Sequence, residues 1–154
     1  MDFINTSVVQ CLCVAVSSAA FSIEFNLRGK KLVLSALGGL LAWVVYLLFS
    51  GMFENDIPQY FLGAAAVSAY SEICARLTKS PAVVYLVVSI IPLVPGGDIY
   101  RTMVYFIEGK ADLFLGLFMY ALSIAGSIAL GVFAVTSIFR LFSSIMKKLK
   151  KKKI

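Results

Sequence analysis

One segment, residues 81–103, limits the folds open to this chain more than any other. From Pro81 to Ile91 it is apolar enough to enter a bilayer as a helix, yet Pro92, Pro95, Gly96, Gly97, Asp98 and Arg101 follow before a crossing is complete. Proline removes a backbone donor and clashes with the preceding turn, glycine admits backbone angles that other residues resist, and lipid offers no water to the freed groups. A break at that depth needs other protein or a hydrated cavity around it. Discontinuous helices of this kind build the solute sites of membrane transporters.

The rest of the chain has lipid as its solvent. Hydrophobic residues make up 60% and charged residues 14%, against roughly 25% charged in a soluble domain. Five stretches, 3–23, 32–53, 60–77, 82–107 and 113–139, approach or exceed the length of about 20 helical residues that crosses a ~30 Å hydrocarbon layer. The expected fold is an all-α integral membrane protein of five transmembrane helices, the fourth broken at the Pro-x-x-Pro-Gly-Gly segment. It forms one domain over 1–146, followed by a polybasic tail over 147–154.

Charge sets the orientation. Arg28, Lys30 and Lys31 follow the first stretch, Arg76 and Lys79 follow the third, and Arg140 with six lysines follows the fifth, so one side gathers twelve of the fourteen basic residues. The other side holds Arg101 and Lys110. The positive-inside rule makes the first side cytoplasmic, with the N-terminus outside, the C-terminus inside and the acidic Glu54-Asn55-Asp56 turn facing outward. The first stretch lacks a basic n-region and outruns a signal h-region, and is read as a retained helix.

Several chemistries lack material. The chain has no histidine, and Cys11, Cys13 and Cys74 have no metal-ligand spacing, so neither a metal site nor a Cys/His nucleophile pair can be assembled. With no base-nucleophile set and no phosphate-binding loop, the chain is not read as an enzyme, and no cofactor is expected. The lysine-rich tail directly follows a span, which suits orientation and anionic lipid; nucleic acid would want interleaved aromatics on a folded basic surface.

Two stripes of small residues stand out. Tyr60, Ala64, Ser68, Glu72 and Arg76 recur every four residues in the third stretch, giving a packing face that leads to an acid and a base. Glu72 reads either as a coupling-ion or substrate carboxylate or as half of an interfacial Glu72–Arg76 pair. In the last stretch Ser123, Ser127 and Gly131 have the same spacing, for tight packing or for a polar path. Trp43 and Tyr46 read as packing rather than ligand stackers, and Gly38-Gly39 as a close helix crossing.

Phe25-Asn26 with Arg28, Pro81, and above all Ile91-Pro92-x-x-Pro95-Gly96-x-x-x-Tyr100-x-x-Met103 carry a family likeness. The chain resembles, over nearly its whole length, the small five-helix (YjjB-like) component of the ThrE-type threonine/serine exporter family. The resemblance implies a subunit of a secondary exporter in the bacterial cell membrane, moving threonine and serine, or a dicarboxylate such as succinate, out of the cell. It also implies a larger membrane partner with a soluble N-terminal region, and an odd span count fits such a two-part architecture. A higher oligomer is compatible with it.

The segment from Pro95 to Arg101 is the expected substrate site. Its residues are Pro95, Gly96, Gly97, Asp98, Tyr100 and Arg101; Asp98 is placed to cap a second half-helix whose exposed N–H groups face a substrate carboxylate, with Arg101 and the Tyr100 hydroxyl as further donors. The other reading is an outward turn with Arg101 solvated. At the level of function the alternative to an exporter subunit is a non-transporting assembly or stability factor for another membrane protein.

Overall fold

The computed structural model describes residues 2–53 and 55–151, with side chains over 6–53 and 55–145. Glu54 of the acidic turn and Lys152 and Lys153 of the tail lie outside the described residues. Among the described residues the chain is all helical. Its elements are α1 (Asp2–Glu24), α2 (Lys30–Phe49), α3 (Ile57–Thr78), α4 (Val83–Ile90), a 3-10 turn (Ile91–Leu93), α5 (Gly96–Ile107) and α6 (Ala111–Lys151).

Local chemistry explains the helix ends. Asn26 takes a left-handed conformation (φ 56°), so that Leu27 N–H reaches Ser22 C=O at 2.9 Å and Asn26 N–H reaches Ile23 C=O at 2.8 Å. This is a Schellman motif, which satisfies carbonyls that α1 would otherwise leave open. Gly109 (φ 70°) ends α5 in the same way, through Lys110 N–H to Tyr105 C=O at 3.0 Å. The second helix stops at Phe49, and Ser50–Phe53, expected within a span, form a turn around Gly51 (φ 88°).

The order of packing places α3 at the centre. It lies against α2, α4 and α6, while α1 covers α2 and α5 folds back on α6. The core is formed by Ala42 of α2, Ala64 and Val67 of α3 and Leu93 of the 3-10 turn, all fully buried. Gly38 and Gly39 of α2 have no room for a side chain: a Cβ at Gly38 would collide with Ser89 of α4, and one at Gly39 with Ser18 of α1. The paired glycines therefore let one helix accept neighbours on two faces at once. Ser89 Oγ then donates to Ser35 C=O at 3.0 Å, and Tyr70 OH to Leu34 C=O at 2.9 Å, tying α4 and α3 to the same stretch of α2.

By length and composition, α1, α2 and α6 are apolar enough to cross a membrane, and α4 with α5 makes a fourth crossing if the bent pair counts as one. α3, the remaining one of the five expected spans, has 22 residues but does not reach that apolarity. Its polar residues include Gln59, Ser68 and Ser71, which are buried against protein rather than exposed to lipid. The fifth span, expected at 113–139, is part of one 41-residue helix.

Candidate functional site

The helix break is built from the two prolines. Pro92 sits in the first turn of the 3-10 segment and Pro95 at the N-cap of α5, positions where a missing N–H breaks no helical bond. Val94 is extended (φ −67°, ψ 127°), and Pro95 (φ −76°, ψ 62°) centres an inverse γ-turn closed by Gly96 N–H to Val94 C=O at 2.7 Å. The axes of the two halves differ by 58°. Leu93, fully buried at the break, packs against α3, with its methyls 3.3 Å from where a Cβ on Gly63 would lie.

Because the γ-turn delivers Gly96 directly into α5, Asp98 is the third helical residue and does not cap it, contrary to expectation. The N-cap is Pro95, which offers no side-chain acceptor. Asp98 still places its charge in the first turn, where it suits the helix dipole. Pro95 is buried and Asp98 half-buried, whereas Gly96, Gly97, Tyr100 and Arg101 are exposed. Tyr100 is 71% exposed. The break thus presents two faces: Asp98 lies within electrostatic reach of Tyr46 and Tyr120 on the bundle, while Tyr100 and Arg101 lie on open surface.

Beside Asp98 is a polar and aromatic cluster that draws on α2, α3 and α6. The Trp43 and Tyr46 rings stack at 5.0 Å, and Tyr46 meets Tyr60 at 4.8 Å. Asp56 accepts from Gln59 Nε2 at 3.2 Å through Oδ1 and from Tyr120 OH at 3.4 Å through Oδ2. Sequence spacing gives no warning of this group, since it comes from separate helices. The one local signal is Asp56-Ile57-Pro58-Gln59, an acid and an amide around the first turn of α3.

The two small-residue stripes meet each other only in part. Gly131 of α6 lies so close to α3 that a Cβ would come within 2.7 Å of Phe61 C=O and 3.2 Å of Ala64 Cβ. Ser127 Oγ donates to Ile57 C=O at 2.7 Å and Ser68 Oγ to Val132 C=O at 3.5 Å. Ser123 is exposed and turns its hydroxyl back to Met119 C=O.

At the other end of α3 the Glu72–Arg76 pair, one of the two readings of Glu72, is not formed. Arg76 Nη2 instead donates to Ser143 Oγ at 2.9 Å and its guanidinium lies over the Phe139 ring at 5.0 Å. Successive four-residue steps turn about 40° around a helix of 3.6 residues per turn, so residues 60 to 76 spiral rather than share one face. Glu72, half-exposed, lines a cleft of about 310 Å³ with Arg140, Ser143 and Ser144.

Residues 10–138 match the family described as Threonine/Serine exporter, ThrE. No curated protein and no solved structure matches the chain.

Proposed function

We propose, from the premise that this chain belongs to the threonine/serine exporter family, that it is one subunit of a secondary exporter that acts with a larger membrane partner. It moves small polar metabolites, threonine and serine or a dicarboxylate such as succinate, out of a bacterial cell across the inner membrane. The observation that carries this reading is the 58° break between α4 and α5, held against the bundle by Leu93 and opening on one side to Asp98 and the tyrosines. A helix interrupted at that place exposes N–H groups and a partial positive charge, which suit a substrate carboxylate.

In this reading Pro95, Gly96, Gly97, Asp98, Tyr100 and Arg101 form the substrate segment, with Arg101 as a carboxylate fork. Glu72 is the coupling-ion carboxylate. α3 completes a five-span topology with the N-terminus outside and the C-terminus cytoplasmic, because charge segregation requires an odd number of crossings. The lysine-rich tail holds anionic lipid at the cytoplasmic surface.

Reconstitution tests it. The chain and its larger partner, co-purified and placed in liposomes, should accumulate labelled threonine, serine or succinate when a proton gradient or membrane potential is imposed. A complex that assembles normally and transports none of the three overturns the reading, and substitutions that change only the amount of complex favour an assembly factor instead.

A further inference from the structure

We infer that the cluster beside the helix break is a recognition site for an organic ammonium group, formed by Asp56, Asp98, Gln59, Tyr46 and Tyr120. Four observations converge on it. Asp56, at the N-cap of α3, accepts from Tyr120 OH, and Asp98 of α5 lies within electrostatic reach of Tyr46 and Tyr120; among the described residues neither acid is paired with a basic side chain, the ion pair present there being Lys110–Glu108 at 2.8 Å. Carboxylates that act on the same rings without a basic partner make a region of negative potential that a positive ligand relieves.

Gln59 supplies the second argument. Its side chain is 1% exposed. Its Nε2 donates to Asp56 Oδ1, and because a carboxylate accepts only, that bond fixes which way the amide points. The amide oxygen is then left buried without a partner, as an acceptor beside Asp56. A buried acceptor with nothing to accept from is costly, and an ammonium carries three donors.

The third observation is aromatic. The Trp43 and Tyr46 rings stack and Tyr60 meets Tyr46 at a tilt next to these acceptors, and ring faces attract alkylammonium ions while adding no competing charge. The fourth is position: Asp98 belongs to the first turn of α5, whose N–H groups suit an anion. Ammonium on the tyrosine side and carboxylate on the helix side would together fit a zwitterionic amino acid better than a dicarboxylate. The choice of amino acid rests on the exporter reading; the ammonium site does not.

Trp43 is the single tryptophan of the chain, so its emission reports on this cluster. The full chain in lipid nanodiscs would be titrated with L-threonine, with L-threoninol, which keeps the ammonium and lacks the carboxylate, and with 3-hydroxybutyrate, which does the reverse. Threonine and threoninol should change the emission in a saturable way, and 3-hydroxybutyrate should not do so through this site. Asp56→Asn and, separately, Asp98→Asn should weaken threoninol about tenfold or more, the loss expected for a charge-assisted contact. Both acids are at least partly exposed, so the isosteric changes leave the core intact, and retained thermal stability checks this.

No saturable response to threoninol, a response to it that both variants retain, or a response that follows sodium but not choline overturns the site. Threonine transport by the reconstituted complex is the separate arm. Transport without a threoninol response refutes the site and spares the exporter reading, whereas a threoninol response lost in both variants without transport supports the site and counts against that reading.

Discussion

Arg76 on α3 and Ser143 on α6 are joined by a 2.9 Å hydrogen bond, and this contact takes the guanidinium away from Glu72. The acid four residues before it is left facing a small cleft without an ion-pair partner among the described residues. Glu72→Gln should therefore change stability by less than about 1 kcal/mol. If Glu72 carries the coupling proton, the same variant should lose gradient-driven export yet keep substrate counterflow, because exchange needs no net proton release. Driven export at the wild-type rate ends that assignment.

Gly131→Ala should destabilise the bundle by about 1–3 kcal/mol, since the new methyl meets the Phe61 carbonyl and backbone cannot move aside as a flexible side chain can. Gly116→Ala is the matched control on the same helix. A Cβ there meets nothing within 4 Å, and alanine suits a helix interior better than glycine by roughly 0.5–1 kcal/mol. Thermal unfolding of the purified chain should separate the two variants in opposite directions. Equal shifts would contradict the α3–α6 packing.

Topology is checked by thiol labelling. In a background free of Cys11, Cys13 and Cys74, a cysteine at Asn55 should react with an impermeant reagent applied outside the cell. One at Lys148 should stay unlabelled until the membrane is opened. Outside labelling at position 148 refutes the five-span, C-inside arrangement.

Arg101→Lys distinguishes a carboxylate fork from a solvated charge. Arg101 is exposed on α5, so the substitution should leave folding unchanged. A bidentate contact should lose affinity, because lysine keeps the charge and loses the planar fork. Export kinetics identical to wild type, with no substrate protection of a cysteine at Gly97, would remove the segment from the site.

Much of the fold was legible because its signals are local. Pro92 and Pro95 act on their own backbone, and the break occurs where they stand. Gly38-Gly39 announced a close crossing, although the residues opposite, Ser89 and Ser18, are fixed only by tertiary packing. Ser123 shows why spacing alone misleads: eight residues before Gly131, it has rotated about 80° away from α3 and turns its hydroxyl to its own helix. Asp98 is not the cap its side chain suggests, because the γ-turn at Pro95 starts the helix at Gly96. Of the Asp56 cluster only the acid and amide around the first turn of α3 had a local signal, since Trp43, Tyr46 and Tyr120 join them through the packing of α2, α3 and α6.

The unequal lengths of the helices bear on the membrane itself. The uncharged run of α6 covers 113–139, 27 residues, against 18 residues over 32–49 in α2, which is about 40 Å against about 27 Å at 1.5 Å per residue. A ~30 Å hydrocarbon layer takes about 20 residues of an upright helix and about 26 of one tilted by about 40°, the upper end of what transmembrane helices adopt. Set in such a layer, α2 fits almost upright and α6 only when strongly inclined, so the two helices would meet the lipid at different angles.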